Sequence, residues 1–370
     1  MINPNSDNRT VLTLDAGGTN FVFSAIKGNK EVTTPFTFPA HADDLDKCLK
    51  TIAQGFDKLI ELLKYPADAI SFAFPGPADY DKGIIGDLPN FTAFKGGVAL
   101  GPMLEDRFNL PVFINNDGNL FAYGEALAGL LPDLNSKLKA EGSIKKFKNV
   151  IGITLGTGMG CGLVLDSHLL VGDTSCGAEI HNTLNKFNSN WNAEESVSTR
   201  AIQRIYAKES GSEFNNSIMP KDIYNIAKGK MQGDKQAAIQ TYKMYGEALG
   251  SSIANVVTLI DGIVVLGGGI TAAWDLFSPS MFEELNRQYE NFRGEKSNRL
   301  SFKIFNLEDE SVFKEFANGN VCEIQVPGTK RIIKYDDMPR TAVGLSKLGG
   351  SKAIMLGAYA YALQQLDSNI

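Results

Sequence analysis

The chain has 370 residues, 43% of them hydrophobic, and a formal net charge of −6. That length exceeds what one hydrophobic core ordinarily organises, so two globular domains are expected, with disorder confined to about the first ten residues. The acidic balance, with no basic block longer than Lys145-Lys146-Phe147-Lys148, argues against a nucleic-acid partner. Val150 to Leu165 and Ile253 to Ile270 are the most apolar windows. Glycines interrupt the first and Asp261 the second, so neither supplies the roughly 20 residues of a membrane helix. Met1 to Thr10 is polar and signals no secretion. Cys48, Cys161, Cys176 and Cys322 form no C-x-x-C pair, which points to a reducing cytoplasm and away from a cysteine zinc site. His41, His168 and His181 are the only histidines, so few imidazole bases are on offer.

Val11, Leu12 and Leu14 make Thr10 to Asp15 a buried strand. Ala16-Gly17-Gly18-Thr19-Asn20 turns it, Phe21 to Ile26 returns as a hairpin, and a third strand covers Val32 to Phe38. Adjacent glycines let backbone N–H groups converge on an anion, and Thr19 adds a hydroxyl. Asp15, just before them, has the chemistry to hold a divalent cation directly or through water. An ordinary glycine hairpin would read the same way. The motif G-x-x-x-x-G-K-[ST] does not occur, so this is not a P-loop.

Asp43 and Asp44 precede a helix whose face is Leu45, Leu49, Ile52, Phe56, Leu59 and Leu63. Ala69 to Phe74 is a strand, Pro75-Gly76-Pro77 a rigid loop, and Gly83 to Phe91 a short strand and a loop carrying Asn90. Pro111 to Ile114 is a strand that breaks off into Asn115-Asn116-Asp117-Gly118-Asn119 before the amphipathic segment Leu120 to Leu131. Open α/β sheets place ligands at the carboxyl ends of their strands, which makes Asp117 a candidate catalytic acid. Asn, Asp and Gly are equally the residues of a plain strand-to-helix turn.

After a charged, exposed connection, Asn135 to Lys148, the first pattern recurs. Val150 to Leu155 is a strand, Gly156-Thr157-Gly158-Met159-Gly160 the turn, and Cys161 to Leu165 the return. The repetition suggests two related domains. The glycines do not fit G-x-G-x-x-G, so a Rossmann site is not indicated. Gly172 to His181 is a loop with Glu179, and Ala193 to Lys208 is helical and opens with Glu194-Glu195. Asp234 to Ile260 is a long helix. Gly262 to Leu266 is a buried strand running into Gly267-Gly268-Gly269, where a flat ligand or another backbone can approach closely. Arg299 to Asp337 is less regular and has no assigned chemical role; it includes a hairpin around Pro327-Gly328-Thr329, with strands Val321 to Val326 and Arg331 to Tyr335. Ser351 to Leu366 closes the chain as a helix whose small Gly357-Ala358 face suits tight packing.

The glycine turns at 16–20 and 156–160, Asn116-Asp117 between them and Gly267 to Gly269 near the end form an ordered set. This set resembles the ROK (repressor, ORF, kinase) family of sugar kinases, within the actin-like, hexokinase-like ATPase superfamily. The resemblance spans nearly the whole chain apart from residues around 299–337. It implies an α/β fold of two actin-like (ribonuclease H-like) ATPase domains flanking a cleft. The smaller would hold 1–117 plus 351–370, and the larger 118–350 with an irregular insertion at 299–337.

The resemblance further implies glucokinase-like transfer of phosphate from ATP to a hexose, at the 6-hydroxyl, with Mg2+ at Asp15. Glucose is the default acceptor, and an N-acetylhexosamine or mannose the alternative. Asp117 corresponds to the general base, and Asn90, Asn116, Glu179, Glu195 and His181 to sugar partners. Gly17, Gly18, Thr19, Gly156, Thr157 and Gly158 correspond to the phosphate turns, and Gly268 and Gly269 to the adenosine contact. The family also allows a homodimer.

Two departures stand out. The family's E-x-G-H is here Glu179-Ile180-His181-Asn182, and its cysteine-rich zinc loop is missing, since Asn185 to Glu195 contains no cysteine. No structural zinc is therefore expected. The family's repressors carry an N-terminal helix-turn-helix, whereas about ten residues precede the first strand here. The departures motivate a second reading, a sugar-binding or regulatory protein with little or no turnover.

Overall fold

The computed structural model describes residues 4–17, 19–76, 78–88 and 91–368. The chain divides into two compact units, one of residues 1–129, 162–178 and 347–370 and the other of 130–161 and 179–346. It leaves the first unit after Gly129, twelve residues beyond the 117/118 boundary expected from sequence. No helix among the described residues is long and apolar enough to cross a membrane.

In the first unit, β1 (Val11–Ala16) and β2 (Asn20–Lys27) form the expected hairpin, from Val11 opposite Ile26 to Ala16 opposite Phe21. β3 (Lys30–Glu31) and β4 (Phe36–Pro39) both pair with β2. They replace the single strand expected over Val32 to Phe38. Thr33 turns inward there, its hydroxyl accepting from the Ala25 N–H, and Pro35 has no N–H to give a ladder. β5 (Ala69–Ala73) and β9 (Val112–Asn115) extend the sheet in parallel, in the order β3-β2-β1-β5-β9. Between them lie β6 (Ala78–Asp79), β7 (Ile84–Ile85) and β8 (Val98–Ala99), a small sheet of their own, and α2 (Leu100–Phe108).

One face of the main sheet carries α1 (Leu45–Leu62), capped by the Asp44 carboxylate on the Lys47 N–H. Cys48, Ile52, Phe56 and Leu59 of this helix are buried against Phe21, Phe23, Phe72 and Phe74, with Phe91 and Phe94 completing the aromatic cluster. Against the other face lies α10 (Gly350–Ser368), whose Leu356, Tyr359, Ala362 and Leu363 pack on Val11, Ile26 and Ala69. α10 also lies along α3 (Asp117–Leu127), backbone to backbone. A Cβ at Gly357 would stand 1.9 Å from the Leu120 carbonyl oxygen, and one at Gly124 2.0 Å from that of Ala353. The small face expected of the C-terminal helix is therefore the contact that keeps α3 with this unit. β11 (Met159–Leu165) ends here, pairing antiparallel with β12 (His168–Leu170).

The second unit opens with α4 (Leu130–Ala140). Leu130, Leu131, Leu134 and Leu138 are buried at helical spacing, so the supposed exposed connection is helical as far as Ala140. Asn135 then holds the returning chain, donating to the Phe147 carbonyl and accepting from its N–H, each at 2.9 Å. β10 (Val150–Leu155), β13 (Ile263–Gly267), β19 (Arg340–Leu345) and β16 (Lys303–Asn306) pair in parallel in that spatial order. α5 (Thr199–Ser210), α6 (Pro220–Ala227), α7 (Lys235–Ile260), α8 (Trp274–Leu285) and α9 (Glu310–Asn318) supply the helical layers. Only α7 was fully legible as a helix beforehand. The helix expected over Ala193 to Lys208 is a 3-10 turn, Ala193–Ser196, followed by α5 with Ser198 as its cap. The hairpin expected near Pro327 is present as β17 (Val321–Gln325) and β18 (Ile332–Asp336).

Candidate functional site

The parallel register of the first sheet fixes one edge. Asp15 is level with Ala73 and Ala73 with Asn115, so the carboxyl ends of β1, β5 and β9 lie in one row. Strands about 4.8 Å apart place the Asp15 and Asn115 backbones about 10 Å from each other. Asn115 is buried; its side-chain oxygen accepts from the Asn116 N–H at 2.8 Å and from Asn119 Nδ2 at 2.9 Å. The Asn116 side chain caps α3 by accepting from the Gly118 N–H at 2.8 Å. Asp117 is thereby the first helical residue, exposed, with Oδ1 also 2.8 Å from the Gly118 nitrogen.

Asp15 is half-buried on the same edge, next to a glycine turn that closes on itself through the Gly17 N–H and the Asn20 carbonyl at 3.1 Å. That amide is engaged within the turn in this arrangement, although the sequence offered it to an anion. Thr19 is exposed and its carbonyl accepts from the Ala40 N–H at 2.9 Å. Gly18 and Asn90, two of the candidates, lie outside the described residues. Among the described residues no cluster of three or more His, Cys, Asp or Glu could hold a metal ion.

In the second unit the turn after β10 is also closed, with the Gly156 N–H donating to the Gly158 carbonyl at 3.0 Å. Thr199, at the start of α5, anchors it from below: its N–H and hydroxyl both reach the Gly156 carbonyl, at 2.9 and 3.0 Å. Gly268 follows β13 with φ +91°, and a Cβ there would lie 2.3 Å from the Leu155 carbonyl oxygen. Glycine is required at that point, and it brings the Gly268-Gly269 segment against the residue preceding the Gly156 turn. Two candidates separated by more than a hundred positions are thus neighbours.

The acidic pair at 194–195 divides its work. Glu194 Oε2 accepts from the Met159 N–H at 3.0 Å and lies 2.4 Å from where a Gly158 Cβ would be, so its carboxylate covers the glycine turn. Glu195, the member singled out from sequence, pairs with Arg200, and its carbonyl accepts from Arg204. The Arg204 guanidinium lies 4.0 Å from the centre of the Trp191 ring. Glu179 and His181 face each other, Oε2 to Nδ1 at 2.8 Å. The Glu179 carboxylate raises the His181 pKa above the ordinary imidazole value, burial opposes this, and the charge of Glu194 adds to the rise. Spacing alone could not separate Glu194 from Glu195, since a 3-10 turn points neighbours in different directions.

The family model described as the ROK family matches residues 11–306. The structure of a glucokinase from Parabacteroides distasonis is similar over 98% of this chain and 99% of its own, with 48% identity and a TM-score of 0.88. A glucokinase of Thermotoga maritima is 24% identical over 73% of this chain and 85% of its own length. An N-acetyl-D-glucosamine kinase of Photobacterium profundum is 27% identical over 70% of this chain and 83% of its own.

Proposed function

Because the chain belongs to the ROK family of sugar kinases, whose fold is two actin-like ATPase domains, we propose that it phosphorylates a hexose with ATP, acting at the 6-hydroxyl with Asp117 as the general base. The observation that carries this reading is the row of Asp15, Ala73 and Asn115, with Asp117 opening α3 directly beyond it. An exposed carboxylate at a helix start, next to the asparagine that caps the helix, is in a position to take the proton of a sugar hydroxyl. General-base assistance of this kind contributes roughly 10²–10⁴-fold.

Phosphoryl transfer otherwise asks for alignment and charge neutralisation. Asp15 supplies the oxygen chemistry that Mg2+ prefers, and the ion, bound directly or through water, would offset charge on the phosphates. Thr19 and Thr157 offer hydroxyls at the two turns, and Gly268-Gly269 a flat approach for adenosine. Asn116, Glu179 and His181 are proposed to hold the sugar, as are Glu195, if Arg200 releases it, and Asn90. Glucose is the first choice of acceptor because two relatives are named glucokinases, and an N-acetylhexosamine the second because another is named an N-acetyl-D-glucosamine kinase. The reading takes the enzyme as cytoplasmic and homodimeric, the latter open to sedimentation.

A coupled ADP-release assay over glucose, mannose, N-acetylglucosamine and N-acetylmannosamine tests the proposal. Sugar-dependent turnover is expected, reduced about 10²–10⁴-fold in Asp117→Asn. A wild type inert towards every sugar would favour the regulatory reading. A fully active Asp117→Asn would remove the base.

A further inference from the structure

Between Thr183 and Ser198 the chain makes a hairpin that follows Glu179 and His181 and carries Glu194 and Glu195 on its return leg. The legs are joined by a bridge between Leu184 and Asn192 and by the Ala193 N–H on the Thr183 carbonyl at 2.8 Å. At the centre is Asn185, only 7% exposed. Its Oδ1 accepts from the N–H groups of Phe187 and Asn188 at 2.9 and 3.2 Å, closing the bend. Its Nδ2 donates to the Asn192 carbonyl and to the buried Ser196 hydroxyl, each at 2.8 Å, holding the return leg. Both donors and both acceptor directions of one carboxamide are used, the full capacity of the group. The next residue, Lys186, reaches Glu284 of α8 at 2.8 Å and ties the bend to the helical layer.

We infer that Asn185 is a positioning residue of the proposed hexose kinase: its Nδ2 donors hold the return leg so that Glu194 stays over the Gly156–Gly158 turn and alongside Glu179 and His181. Asn192 and Ser196 are the two residues that flank Ala193, Glu194 and Glu195, and Asn185 bonds both. The carboxylate of Glu194 sits between those two fixed points. Loss of the carboxamide releases the leg, not the bend alone. A buried group with every hydrogen bond made is also intolerant of near substitutes. Aspartate keeps the acceptors for Phe187 and Asn188 and can still accept from the Ser196 hydroxyl, but it sets a lone pair against the Asn192 carbonyl.

The inference rests on the hexose reading, and the experiment separates the two. Calorimetric titration of glucose, mannose and N-acetylglucosamine would compare the wild type with Asn185→Ala, Asn185→Asp and a remote core variant, Phe305→Leu. All are measured well below the lowest unfolding midpoint, with hexose KM and kcat taken in parallel. The expected result is a hexose Kd raised at least tenfold in both Asn185 variants and within twofold of wild type in Phe305→Leu, with KM rising more than kcat falls. Asn185 variants that melt earlier yet bind hexose within twofold of wild type would reduce the residue to a stability role and overturn the inference. Normal binding by Asn185→Asp alone would do the same, because the bond to the Asn192 carbonyl would then be dispensable. A wild type that binds none of the sugars would sink the hexose reading, and this inference with it.

Discussion

Substituting Gly357 by alanine adds one methyl group at the closest approach between α10 and α3. Alanine is the better helix former by about 1 kcal/mol, so on propensity alone the variant should gain stability. The structure predicts the opposite. The new carbon would lie 1.9 Å from the Leu120 carbonyl oxygen, where ordinary contact begins at 3.4 Å, so the helices must part by about 1.5 Å. Neither obstacle is a flexible side chain: the oxygen belongs to helix backbone, and Gly124 faces Ala353 across the same seam with as little room. Overpacking of this kind costs about 1–3 kcal/mol, and separation also loosens Leu356 and Tyr359 from the sheet. Less the propensity gain, for a unit of about 170 residues that is a fall in midpoint of up to about 8 °C. Because α3 begins with Asp117, a shift on the order of 1 Å at the helix should also lower sugar-dependent turnover by up to about 10²-fold. Calorimetric melting and the ADP-release assay would be run on Gly357→Ala and on Gly124→Ala. Stability raised by the full propensity gain of about 1 kcal/mol would refute the reasoning, since it would mean the two helices move apart at no cost.

Three other outcomes are expected. His181 should titrate by NMR above 6.5, and Glu179→Gln should return it towards that value. A raised folded pKa stabilises fully below about 6.5 and the benefit disappears as pH rises through the folded value. The stability difference between wild type and Glu179→Gln, followed by denaturant melts, should therefore shrink from pH 6 towards pH 9, and a difference that grows would contradict the assignment. Asp336→Ala should destabilise by about 3 kcal/mol, because it strands the fully buried Arg340 guanidinium, which otherwise pairs with Asp336 at 2.6 Å and also reaches the Phe316 carbonyl. Equilibrium unfolding within 0.5 kcal/mol of wild type, about the scatter of surface substitutions, would argue that the buried pair is dispensable.

Where alternation and glycine placement decide the conformation, the fold was legible. Val11 to Ala16, its return strand and the Gly357 face could be named from residue order, because an apolar run ending in a glycine turn and a missing side chain each leave a direct mark. α4 was missed for a physical reason. Its charges suggest an exposed link from Asn135 on, but the leucines bury the opposite side, and Pro132 is tolerated in the first turn. α6 and α8 also contain proline, at the first position and inside the helix, and tertiary packing prevails over local propensity in the latter. At the candidate site, Asp15 and Asn115 were each visible as strand ends, and strand register relates them. Glu194 and Asn185 were not visible. Their roles depend on which way a 3-10 turn points and on how a short hairpin closes, neither of which a residue pattern carries.

The docking of α10 on the first sheet has a consequence for synthesis. Strands β1, β2, β5 and β9 and helix α3 are all complete by residue 127, yet the helix that seals their second face begins only at Gly350. Through the making of more than two hundred further residues, Val11, Ile26 and Ala69 lack their lid, and α3 its glycine-lined neighbour. Folding of the part that bears Asp117 thus waits for α10, and a stalled nascent chain lacking that helix would present a sticky, chaperone-dependent surface in place of a finished domain.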